Sequence, residues 1–375
     1  MKLKNLTACL FLAIFAASCI KDEAPNSEAD ILSCVIEGDI LNRAPVIGND
    51  EITLYIKDGA AINDVTPKFT LTEGATISPD GTSCDFTKSQ SYTFTVTSQD
   101  GKWNKEYTLK ILPPINTDYN FENVKTNKND KYYIFYEKFT NGNEIFSWAS
   151  GNEGFAFTGV QATKEQYPTT IDHTTEKGQC LKLQTKDTGK LGASVGMPLA
   201  AGNLFLGSFS VNLADVLSAT KFGVPFTHIP TRMEGYYKYT PGPTFYKLNA
   251  EKKLEPVPGR KDQCDIYAVF YETTPGQETL TGHNILDQNN MNIVSIARIK
   301  QSDVVENSAE WTHFALNFET LSGRKVEETK LNEGKYNLAI VFSSSIDGAY
   351  FEGAPESTLW IDDVNISYEG KEIQQ

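Results

Sequence analysis

The chain is short of the features that usually classify a protein at sight. Its 375 residues include six cysteines and four histidines. No Cys-x-x-Cys pair, no His-Glu-x-x-His and no zinc-like cysteine spacing occurs, which removes the common zinc motifs. Positive charge is also scarce, with 34 Lys and Arg against 48 Asp and Glu for a net charge of −14. So acidic a chain repels phosphate backbones and anionic lipid, which argues against nucleic acid as a partner and leaves neutral glycans and cations. The one marked apolar run, Leu6–Ala17, falls short of the ~20 residues that cross a bilayer. Helical periodicity is rare. Short alternating runs bounded by Gly, Pro, Asn and Asp recur instead, and aromatics reach 11%. These point to an all-β protein.

The N-terminus has a basic head (Lys2, Lys4), the short apolar core, and Ala16-Ala17-Ser18 before Cys19. This resembles the lipoprotein signal of bacteria, which implies cleavage after residue 18 and lipidation of Cys19, with several acyl chains giving a stable anchor. Removing residues 1–18 takes away two lysines and no acid, moving the charge from −14 to −16. Residues 19–29 are polar and acidic and read as a flexible tether. The Lys21-Asp22-Glu23 that follows the cysteine resembles the surface-export signal of Bacteroidetes lipoproteins, which implies an outer-membrane protein facing the exterior. Of the remaining cysteines, Cys34 and Cys84 fall in one domain, where a disulfide or two buried thiols are both open.

The length predicts two domains. Over residues 30–113 the strand signals are close together, and in "SYTFTVTS" Tyr92, Phe94 and Val96 alternate with threonines. One buried and one wet face indicate a sandwich of antiparallel sheets. The stretch resembles the small bacterial immunoglobulin-like domains of Bacteroidetes glycan-system lipoproteins, and reads as a spacer. Pro113-Pro114 ends its last strand and opens a hinge. Residues 118–372 are long enough for a jelly roll.

Ordered motifs in this second region carry a further resemblance: "DYNFENV", "FTHIPTRMEGYYKYTPG", "CDIYAVFYE", "WTHFALNF" and "VFSSSIDGAYFEGAPESTLWIDD". They resemble the putative carbohydrate metabolism domain family of Bacteroidetes lipoproteins, and the first and last strands look like those of jelly-roll carbohydrate-binding modules. The resemblance implies a polysaccharide or oligosaccharide partner, alongside other glycan-utilisation proteins. It also implies a structural calcium held by Glu122 and Asp362, with Asp363 as alternate. In "LWIDDVNIS", alternation puts Trp360, Asp362, Val364 and Ile366 on one face, where a lone carboxylate needs a partner or a metal.

Sugars present flat C–H faces, which stack on aromatic rings, and hydroxyl rims, which need polar side chains. In "EWTHFALNFE" Phe314, Leu316 and Phe318 form a core face, so Trp311, His313 and Asn317 point the other way. In "DIYAVFYE", Ile266, Ala268 and Phe270 are core and Tyr267 and Tyr271 face outward, either to ligand or beneath covering loops. Arg232, Glu234 and Tyr236 alternate with Met233 and Tyr237 in a segment that reads as a cleft wall or a plain strand. Trp148, in a loop-like stretch, is either a ligand contact or a cap on the sandwich edge.

Enzymatic readings are thinner. "GASVG", Gly192 to Gly196, matches a serine-hydrolase elbow, but Met197-Pro198 follows and no strand-helix pattern surrounds it. Glycoside hydrolysis needs two carboxylates across the scissile bond. Glu234 is the nominee, with Glu272 or Asp265 as partner. A third reading makes the protein an adhesion or assembly scaffold. The expectation is glycan binding, without a named sugar.

Overall fold

The structure, a computed structural model, describes residues 25–370 apart from 42–43, 58–59, 90, 113–115, 139–141, 143 and 175. The leader, Cys19 and the Pro113-Pro114 hinge lie outside the described residues. The chain divides into two compact units, one of residues up to Tyr55 with Ala60–Ile111, the other of Ile56–Gly59 and residues from Leu112 onward.

The first unit is a small β-sandwich. Five strands run in the order Val46–Ile47, Glu51–Tyr55, Asn104–Leu112, Ser91–Thr97, Thr76–Ser78, and a second layer pairs Ile31–Ile36 with Pro67–Leu71. The alternation of Ser91–Thr97 buries Phe94 and Val96, as a one-sided antiparallel strand should. Phe69 of the smaller layer meets Phe94 edge-on at 5.0 Å, closing the core between the layers. Cys34 and Cys84 are free and buried. Burial pushes their thiols up to about 12 and about 11, and the proximity of Cys84 adds to the rise at Cys34.

The second unit is a larger β-sandwich of two antiparallel sheets. The first has the order Thr169–Thr174, Gly178–Gln184, Thr358–Tyr368, Pro230–Thr240, Thr312–Asn317, with Asp118–Tyr119 also pairing Thr358–Tyr368. The second runs Asn203–Phe205, Tyr336–Ser343, Asp265–Glu272, Ile293–Arg298, Glu319–Thr320. Successive long strands repeatedly cross between sheets, as in a jelly roll. Between them lies one core to which the first sheet gives Leu181, Met233, Tyr237, Phe314 and Ile361, and the second Ile266, Phe270, Ile340 and Phe342.

The sheets differ in what covers their outer faces. Asp265–Glu272 and Tyr336–Ser343 are buried along seven of eight residues, on both faces. Phe205, Tyr267, Val269, Tyr271 and Val341 form a second core with loop residues Phe222, Leu280 and Ile285. Within Pro230–Thr240, by contrast, Arg232 to Tyr239 alternate between half-buried and buried residues. Among the described residues its far face has no such cover.

Candidate functional site

The open face of the first sheet is built by register. Arg232 lies opposite Asn317, Glu234 opposite Ala315 and Tyr236 opposite His313, so these side chains share the face away from Met233, Tyr237 and Phe314. Directly opposed residues in an antiparallel pair stand side by side. The Tyr236 and His313 rings are 5.2 Å apart. Trp311, just before the edge strand, is half-buried, while His313 and Asn317 are exposed. Five sequence-predicted residues, Arg232, Tyr236, Trp311, His313 and Asn317, thus come together.

Lys238, which alternates with Tyr236 along its strand, and two lysines that sequence reasoning missed, Lys177 and Lys182, complete this face. Lys177 sits 3.9 Å from the Tyr236 ring centre and 5.9 Å from that of Trp311, and Lys238 lies 5.3 Å from Trp311. Trp360 donates its indole N–H to Asp172 at 2.9 Å and carries Lys182 at 5.8 Å. Carboxylates balance the cations: Asp172 pairs with Lys182 at 3.0 Å, Glu234 with Arg232 at 3.0 Å, and Asp363 with Lys177. The indole N–H of Trp311 has no acceptor among the described residues. The result is a surface on which most charges are paired, with aromatic rings and hydrogen-bonding groups interleaved, suited to a neutral polyhydroxylated ligand.

The expected face-sharing of Trp360, Asp362, Val364 and Ile366 is corrected. The register with Pro230–Thr240 slips between Glu234 and Tyr236, and Asp363 adopts φ +47°. One extra residue in the strand swaps its faces. Trp360 and Asp362 therefore lie opposite Lys238 and Tyr236, while Val364 and Ile366 join Leu359 and Ile361 in the core. Asp362 is nevertheless 2% exposed. Burial raises its carboxyl to about 7, and the nearby charges of Asp363 and Glu122 add to the rise while Lys177 opposes it.

Glu122 and Asp362 are thus close enough to sense each other, and Glu122 is exposed. Calcium takes six to eight oxygens. Among the described residues no group of three or more His, Cys, Asp or Glu converges as metal ligands do. With the Lys177 ammonium nearby, the donor set fits calcium only in part.

Other candidates fall elsewhere. Trp148 is a core residue, 3% exposed, whose N–H donates to Glu137 at 2.9 Å. It packs inside the main core against Tyr119, Phe121 and Phe342. Tyr267 and Tyr271 do point away from the main core, but loops seal them at 6% and 0% exposure. The Tyr271 hydroxyl donates to the Phe222 carbonyl and accepts from Asn337 at 3.1 Å. Tyr271 meets no ligand there, and Tyr267 reaches open space only at the floor of a cavity on that side of the sheet. Asp265 is gripped by Arg298 through two bonds of 3.0 and 2.7 Å, and Glu272 pairs with Lys330 at 2.8 Å. Both belong to the second sheet, across the core from Glu234, so neither can flank one bond with it. Ser194 ends the short helix Gly189–Ser194 and donates to the Leu191 carbonyl at 2.7 Å, which is no nucleophile elbow.

Sequence reasoning also missed a cavity of about 530 Å³ over the outer face of the second sheet, walled mainly by apolar side chains. Its one legible signal was the scatter of apolar residues, such as Leu191 and Leu213, in segments with no strand alternation.

Among curated proteins nothing matches. A solved structure from Bacteroides thetaiotaomicron, described as "a putative glycoside hydrolase", is 46% identical over 94% of this chain and 100% of its own, with a TM-score of 0.66. Another so described, from Bacteroides vulgatus, is 45% identical over 68% of this chain and 98% of its own, with a TM-score of 0.61. Residues 31–111 match the family "SGBP, N-terminal". Residues 120–367 match the "Putative carbohydrate metabolism domain". The chain belongs to that carbohydrate-related family.

Proposed function

We propose that the protein captures glycan chains on the open face of the first sheet of its second unit, without cleaving them, as a lipid-anchored protein displayed outside the outer membrane. The observation that carries this reading is the grouping of Tyr236, Trp311 and His313 with Arg232 and Asn317 on a sheet face that no loop among the described residues seals. Rings stack on the flat sides of a sugar, and the polar side chains meet its hydroxyls. The match of residues 31–111 to an SGBP N-terminal domain, together with the lipoprotein-like leader, supports display.

Hydrolysis is the second reading, favoured by the description given to the two Bacteroides relatives. Against it, Glu234 is held by Arg232 and its proposed acid partners belong to the other sheet. Affinity electrophoresis against a polysaccharide panel tests capture: retardation on at least one neutral glycan is expected, and none on any glycan leaves only a scaffold. Reducing ends released by the wild type and lost in Glu234→Gln would install the enzyme instead. Protease shaving of intact cells tests display, and protection of the protein would contradict it.

A further inference from the structure

The cavity over the second sheet lies across the core from the face assigned to glycan. Its floor includes Phe205, Tyr267 and Val341, and its walls come from the helices Asn152–Phe157 and Gly189–Ser194 and from loops on either side. At about 530 Å³ it has the size of a small-molecule site. Phe157, Leu191, Val195, Leu213 and Tyr350 line it while being 43–58% exposed, and they make up half of the exposed large apolar side chains among the described residues. They come from distant parts of the sequence. Their convergence on one opening marks a patch with a use, since scattered apolar residues need no explanation but clustered ones do.

The walls also say what kind of ligand fits. Among the described residues no lysine or arginine lines the cavity. Its ionisable groups are Asp265, Asp287 and His283, and Asp265 is neutralised by Arg298. His283 is bonded to Asp215 at 2.8 Å. An anion entering here would lose its water and gain no cation, a large cost. The deeper polar groups are already engaged: Ser343 donates to the Ser345 carbonyl at 2.8 Å, Ser345 to Asp262, and Asn203 accepts from Gly151 at 2.8 Å. The interior therefore offers contact area, much of it aromatic, and few free hydrogen-bonding groups. Phenylalanine and tyrosine walls favour ring-to-ring packing.

We infer that this cavity is a second ligand site, which takes an uncharged aromatic ring group, either as a free molecule or as a substituent carried on a sugar. It does not depend on glycan capture by the other sheet.

The test uses the whole mature chain and N-phenyl-1-naphthylamine, a neutral dye that brightens in apolar surroundings. Saturable one-to-one binding is expected. At neutral pH, 2-naphthol should displace the dye at least about tenfold more effectively than the anionic 2-naphthoate. If 2-naphthyl glucoside competes as well as 2-naphthol, the ring arrives on a sugar; if only the naphthol competes, it arrives free. Leu191→Asp and Leu213→Asp alter exposed side chains, so the fold should persist by circular dichroism while dye affinity falls at least about tenfold. No saturable binding, equal competition by naphthoate, or variants that bind as the wild type does would each overturn the inference. So would a dimer dissociated by Leu213→Asp whose monomers bind no dye, because the rim would then seat a second copy.

Discussion

Two strands of the second unit, Pro230–Thr240 and Asp265–Glu272, began with the same kind of pattern and ended in different surroundings. Each places one set of alternate side chains in the shared core, and each sends tyrosine the other way. In the first strand Tyr236 remains half-buried beside His313 and Trp311. In the second, Tyr271 is at 0% exposure, under a layer that includes Phe222 and Leu280. Alternation decides which face a residue takes. What lies over that face is decided by segments remote in sequence, and that is what separates a binding surface from a second core.

The largest expected effect breaks or confirms this contrast directly. Tyr271→Ala empties a sealed site and should cost about 3–5 kcal/mol in urea unfolding, whereas Tyr236→Ala on the open face should cost about 1 kcal/mol or less. Similar costs for the two would mean that the faces are not different in kind.

A smaller effect concerns Glu137, which sits under Trp148 and accepts from it and from Asn116 at 2.8 Å. Burial raises its carboxyl from 4.5 to about 7, although both bonds favour the charged form. The folded protein thus holds a proton that the unfolded chain releases near 4.5. The stability from this group is full below that value and is lost as pH rises through about 7. Melting temperature should fall between about pH 5 and pH 8, and Glu137→Gln should flatten the fall. Asp362, raised to about 7 as well, contributes in the same direction, so some slope should survive. A variant with the full wild-type slope would show that Glu137 is ionised throughout.

The smallest effect is that of calcium. With two carboxylates and a competing ammonium, added calcium or EDTA should move the melting temperature by no more than about 1 °C. A rise of several degrees with calcium, absent in Asp362→Asn, would instead establish a metal between Glu122 and Asp362.

Much of the fold was legible because period-2 patterning is a local property. The core faces of Thr312–Asn317 and Asp265–Glu272 could be read residue by residue, and the open-face group of Arg232, Tyr236, Trp311, His313 and Asn317 followed from the same rule. Three things could not be read this way. The extra residue at Asp363 exchanges the faces of the last strand, and its only local mark is that aspartate tolerates positive φ better than most residues. The sealing of Tyr271, and the covering of all but the cavity side of Tyr267, depends on packing by the segments around Phe222 and Ile285. Trp148 looked like a loop indole because its acceptor, Glu137, lies on the neighbouring strand, opposite Phe146. Lys177, over Tyr236 and Trp311, was invisible for a similar reason, since it reaches them from a turn far away in sequence.

The central claim, that a neutral glycan lies across the open face, is tested most directly by titration calorimetry with whichever polysaccharide retards the protein. Trp311→Ala and Tyr236→Ala should each weaken binding about tenfold or more while leaving the fold intact, as expected when a stacked ring is removed. Wild-type affinity in both variants would place the sugar elsewhere and contradict the account.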